Sequence, residues 1–85
     1  MGRAMIHVKV KLYATLKKYA PAGGASGTGF DMEIPDASTL QDLTVLLRMP
    51  EDEVRIAFVN GIIQDVRCQL NDNDEIGMFP PIGGG

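Results

Sequence analysis

The first strongly periodic stretch is "IHVKVKLY", where Ile6, Val8, Val10 and Leu12 alternate with His7, Lys9, Lys11 and Tyr13. A period of two is the pattern of a strand with one buried and one wet face. "ATLKKYAP" follows as a short helical turn closed by Pro21, and "AGGASGTG" reads as a flexible loop. Alternation returns in "FDMEIP", with Phe30, Met32 and Ile34 on one face and Asp31 and Glu33 on the other. Two such strands joined by a loop predict an antiparallel hairpin.

The period then changes. In "DASTLQDLTVLLRMP", Leu40, Leu43, Leu46 and Leu47 recur at helical spacing and make one apolar stripe. Ser38 is the expected N-cap, with Gln41 completing a Ser-x-x-Gln capping box and Asp42 facing the positive end of the helix dipole. Pro50 stops the helix near Met49. "VRIAFVNGIIQD" is a third strand broken by the Asn60-Gly61 turn signal, after which Ile62 and Ile63 open a short return strand. In the third strand Arg55, Ala57 and Val59 share one face, and Ile56 and Phe58 the other. A polar turn then leads into a last strand in which Ile76 and Met78 face the helix and Gly77 and Phe79 the opposite side. The order β-β-α-β-β-β predicts an α+β domain of the β-grasp, or ubiquitin-like, kind. Its mixed sheet of about four or five strands carries one main helix across one face, with the first and last strands parallel at the centre.

Composition narrows the classes of function. Eighty-five residues make one domain, and a 45% hydrophobic content is enough for a core without disulfide staples. The single cysteine, Cys68, has no internal partner, which fits a reducing compartment, and it reads as a structural or surface thiol. His7, the lone histidine, reads as an exposed strand residue, and no metal site is expected. The net charge of −3, with no basic cluster beyond Lys17-Lys18, argues against nucleic acid as a partner. The glycine-rich loop lacks the Gly-Lys-Ser/Thr ending of a phosphate-binding loop. "NDNDE" lacks the central glycine and closing glutamate of a calcium loop, and reads as a polar turn. No apolar run spans a membrane, the N-terminus has no secretory signal, and Ile6 breaks a myristoylation pattern. A cytoplasmic location is expected.

The C-terminal run "EIGMFPPIGGG" carries the functional signal. It resembles the ubiquitin-like sulfur carriers of the MoaD/ThiS family, nearest the MoaD branch, the small subunit of molybdopterin synthase. The resemblance also rests on "IHVKVKLYATLKKY", on "TLQDL", on "FVNG" and on "LNDNDEIGMFPPIGGG", so it covers nearly the whole chain. Family members usually stop at Gly-Gly. Here Gly84-Gly85 satisfy that pattern and Gly83 takes the variable position before it.

The resemblance implies a β-grasp domain over 1-79 and a flexible Pro/Gly arm over 80-85. Pro80 and Pro81 favour an extended exit, and bare glycines can pass through a narrow channel that side chains would block. The resemblance further implies that the carboxylate of Gly85, next to Gly84, is adenylated and then converted to a thiocarboxylate. The domain has no nucleotide motif and is expected to bind no cofactor. ATP is therefore used by a partner, an adenylating enzyme of the ubiquitin-activating type (MoeB/ThiF-like). In the molybdopterin branch the arm inserts into the large synthase subunit (MoaE-like), so the carrier acts as a subunit or co-substrate rather than as an enzyme alone. Phe79 is expected to be an apolar anchor at the partner surface, followed by Pro80, Pro81, Ile82 and Gly83, and the β3 set Arg55, Ala57 and Val59 is expected on the same surface. Two alternatives stay open: a protein modifier joined to lysines through Gly85, and a carrier serving thiamin or tRNA thiolation.

Overall fold

The computed structural model describes residues 4–21 and 29–81. Strand β1 (Met5–Leu12) buries Ile6, Val8, Val10 and Leu12 and turns its alternate residues outward, as its period requires. It pairs antiparallel with β2 (Phe30–Pro35), setting Ile6 opposite Ile34 and Val8 opposite Met32. A 3-10 helix at Ala14–Tyr19 follows β1 and sinks Leu16 into the core.

The helix α1 (Leu40–Leu46) begins one residue later than the sequence suggests. Thr39 is the N-cap: its Oγ1 accepts from the Asp42 N–H at 3.2 Å, and the Asp42 carboxylate accepts from the Thr39 N–H at 3.0 Å. Ser38 instead closes the preceding turn, its hydroxyl donating to the Pro35 carbonyl at 2.6 Å. Helix α1 also stops sooner than Pro50 alone demands. The Arg48 N–H bonds to the Val45 carbonyl and the Met49 N–H to the Thr44 carbonyl, each at 3.0 Å, a Schellman ending that holds Arg48 at φ 59°. Leu40, Leu43 and Leu47 pack inward, whereas Leu46 stands 47% exposed and leaves the predicted stripe.

Strands β3 (Ile56–Val59), β4 (Ile62–Gln64) and β5 (Glu75–Phe79) complete the sheet, whose order is β2-β1-β5-β3-β4. β1 and β5 run parallel side by side, Val10 beside Ile76 and Leu12 beside Met78. This is the β-grasp arrangement expected from the element order. Asn60 and Gly61, at φ 53° and 83°, form the two-residue turn that pairs Val59 with Ile62. Val8, Val10, Leu43, Leu70, Ile76 and Met78 are fully enclosed between the sheet and α1. Met78 therefore sits in the core directly before Phe79, which fixes where the chain leaves the sheet.

Candidate functional site

The face of the sheet opposite α1 is divided by chemistry. One side carries charges from β1 and β2, with His7 Nε2 3.3 Å from Asp31 Oδ1. The other side is apolar, and Phe79 lies at its centre. Gly77, two residues earlier on the same face, has no side chain, and a Cβ there would meet the Tyr13 ring at 3.4 Å. The Tyr13 ring instead lies over this stretch of β5 and stacks on Phe79, with centroids 4.3 Å apart and planes 3° from parallel. Phe58 approaches Phe79 edge-on at 5.7 Å. Offset stacking and edge-to-face contact both suit the ring quadrupoles.

The backbone around this cluster is held as firmly as its rings. The Tyr13 N–H donates to the Met78 carbonyl at 3.1 Å and the Arg55 N–H to the Phe79 carbonyl at 2.9 Å. Phe79 is thus braced from β1 on one side and from the start of β3 on the other. Beyond it Pro80 is half-buried and Pro81 exposed. An open groove of about 830 Å³ runs past this exit. Phe79, Phe58, Ile56 and Pro80 form its apolar walls, and Arg55 is the one charged residue lining it among the described residues.

Of the residues expected at a partner surface, Phe79, Pro80 and Pro81 are brought together along this groove, and two others are corrected. Ala57 and Val59 are 6% and 8% exposed and pack against the core, so they do not face a partner. Ala57 and Val59 separate from Ile56 and Phe58 as the period predicts, but the faces are reversed, and Arg55, which precedes β3, lines the open groove instead of sharing their buried face. The register decides this: Ala57 lies beside the buried Met78, and Phe58 beside Gly77. Ile56 and Phe58 accordingly join Phe79 on the open face. Ile82, Gly83, Gly84 and Gly85 lie outside the described residues.

Sequence reasoning missed the buried Asp74. Its carboxylate accepts from the Asn60 side-chain amide at 2.9 Å and from the Asn71 N–H at 2.7 Å. The Asn60 side-chain oxygen in turn accepts from the Glu75 N–H at 2.9 Å. This pins the β3–β4 turn to the start of β5, the strand that ends in Phe79. The available signal was an acidic residue directly before an apolar strand, and its partner lies 14 positions away.

At the periphery, Tyr19 donates to Glu53 at 2.7 Å, and this bond to the carboxylate raises the phenol above its ordinary value of 10.0. Asp65 is held below the usual carboxylate range by bonds from the Arg67 backbone and side chain. Among the described residues no group of three or more His, Cys, Asp or Glu is placed to hold a metal, and no helix is long and apolar enough to cross a membrane.

The fold and this exit site define a ubiquitin-like domain in which Pro80 and Pro81 leave the sheet beside an aromatic surface. The ThiS family model matches residues 10–85, and the chain belongs to that family, one of ubiquitin-fold sulfur carriers and modifiers. Among solved structures, it is similar to the putative molybdopterin converting factor subunit 1 from Pyrococcus furiosus. That match has 25% identity and a TM-score of 0.68, over 91% of this chain and 99% of that one. It is also similar to small archaeal modifier protein 1 from Methanosarcina acetivorans, at 23% identity and a TM-score of 0.65, over 95% of this chain and 98% of that one. A third similar structure is the complex of subunits 1 and 2 of the molybdopterin-converting factor from Helicobacter pylori. There the identity is 23% and the TM-score 0.56, over 94% of this chain and 100% of that one. Among curated protein sequences, none matches the chain significantly.

Proposed function

We propose that the protein is a sulfur carrier that works through the carboxylate of Gly85, as the small subunit of a molybdopterin synthase. The observation that carries this reading is the family match running through the final glycine, on a chain whose β5 delivers Pro80-Pro81 past a stacked aromatic surface. A carboxylate is a poor acyl donor. In the proposed cycle a Gly85 oxygen attacks the α-phosphorus of ATP on an adenylating partner, and pyrophosphate leaves. Sulfur at the oxidation level of sulfide then attacks the acyl carbon, AMP leaves, and a thiocarboxylate remains. Beyond the Gly85 carboxylate, this chain's residues perform no bond-making in that cycle. Tyr13, Phe58 and Phe79 provide the docking surface, and Pro80 and Pro81, with φ fixed by their rings, continue the chain along its groove.

The similarity to a two-subunit complex in Helicobacter pylori supports a large-subunit partner for the loaded arm. Similarity to a small archaeal modifier protein favours a second reading, in which a lysine amine attacks the same activated carbonyl and forms an isopeptide bond. Intact-mass analysis of the chain from its native cells separates the two. A gain matching one oxygen-for-sulfur exchange supports the carrier, and covalent adducts on other proteins support the modifier. Deleting Gly84-Gly85 abolishes either product; undiminished pathway activity after that deletion contradicts both.

A further inference from the structure

The two edges of the sheet are built differently. The β2 edge carries Asp31 and Glu33, both exposed, and ends in Pro35. Charges and proline are the usual guards against edge-to-edge pairing, and a second β2 laid antiparallel would bring like charges together. The β4 edge has no such guard. Its residues Ile62, Ile63 and Gln64 are all exposed, the isoleucines by 62% and 63%. Ile62 lies opposite Val59 and Ile63 opposite Phe58, so one isoleucine stands on each face of the sheet.

The turn geometry determines which backbone groups the β4 edge offers. In a two-residue hairpin the closing pair exchanges hydrogen bonds, so Ile62 and then Gln64 bond inward to β3. Ile63 lies between them and directs its N–H and C=O away from β3. An antiparallel strand can satisfy both groups.

We propose that β4 pairs antiparallel with β4 of a second copy of this chain, about a twofold axis through Ile63, joining the two sheets into one. The edge is self-complementary in this register. Ile63 faces its own counterpart across the axis, Ile62 faces Gln64, and Gly61 faces Asp65, so no like charges meet although each chain carries a net charge of −3. A paired segment this short buries far less than the roughly 800 Å² per partner of a stable interface, so the dimer is weak and depends on concentration. The guarded β2 edge limits the assembly to a closed pair rather than a growing sheet. This inference does not depend on the sulfur-carrier reading.

Sedimentation equilibrium on the full chain, from about 10 μM to about 1 mM, tests it. The average mass should rise toward twice the monomer mass as concentration increases. Ile63→Lys should stay monomeric at every concentration with an unchanged amide NMR fingerprint, and Val45→Lys, on the exposed face of α1, should dimerise like the parent. Amide exchange at Ile63 in the unmodified chain should slow at least severalfold across the same series. A mass that stays monomeric throughout overturns the proposal. So does dimerisation that survives Ile63→Lys, or that leaves exchange at Ile63 unchanged.

Discussion

The rings of Tyr13 and Phe79 stack 4.3 Å apart, joining the residue just after β1 to the residue that precedes the proline pair. The contact links the two central strands on the open face, at the point where the chain leaves the sheet. A stacked aromatic pair contributes about 0.5–1.5 kcal/mol beyond its buried area. A double-mutant cycle of Tyr13→Ala and Phe79→Ala, read by urea unfolding, should show a coupling energy in that range. Tyr13→Phe keeps the ring and should stay within about 0.5 kcal/mol of the parent.

Asn60 supplies both a left-handed turn residue and two side-chain bonds to the start of β5. Asn60→Gly keeps the turn but leaves the buried Asp74 with one fewer donor, and should cost roughly 2 kcal/mol. Asn60→Ala adds the strain of a positive φ and should cost about 1 kcal/mol more. Equal costs for the two variants would show that the turn conformation carries no strain.

Arg48 occupies the left-handed position of the helix ending at φ 59°, where glycine is the usual residue. Arg48→Gly should therefore raise stability by about 0.5–1 kcal/mol, measured as a shift in the urea midpoint without a change in slope.

Thr39→Ala removes the N-cap oxygen and should cost about 1 kcal/mol. Ser38→Ala should cost less, because the Ser38 N–H still reaches the Pro35 carbonyl at 3.2 Å. The reverse ranking would restore Ser38 as the cap.

Tyr19 titrates above 10.0 because its hydroxyl is bonded to the Glu53 carboxylate, with desolvation and the negative charges of Glu53 and Asp52 acting in the same direction. A raised folded-state value means that the contribution is full below the unfolded value and is lost as pH rises through the folded one. Glu53→Gln should therefore shift the alkaline absorbance titration of Tyr19 downward. In a Tyr19→Phe background the same substitution should leave the remaining tyrosine signal unchanged.

The sequence and the structure agree where a single rule governs a segment. The alternation in β1 and the Asn60-Gly61 turn each admit one reading, and both hold. Disagreement arises where two rules fit equally well. Ser38 with Gln41 and Thr39 with Asp42 are both capping patterns, and the turn from Pro35, with Ala37 at φ 68°, selects the second. In β3 both faces are largely apolar, so hydrophobicity alone could not tell Ala57 and Val59 from Ile56 and Phe58. The register against β5 supplied that choice, and it comes from long-range pairing. Leu46 matches the helical stripe by spacing, yet lies at the last turn of a helix of 7 residues and escapes cover. The bond between Asn60 and Asp74 had one local cue, an acidic residue directly before an apolar strand, and nothing local named its partner 14 positions away.

The measurement closest to the central claim is top-down mass spectrometry of the chain isolated from its native cells, with fragmentation to place any added sulfur. The account predicts one sulfur in place of one oxygen, confined to the fragment that contains Gly85. Sulfur retained on Cys68 or elsewhere, with an ordinary carboxylate at the last glycine, would contradict it.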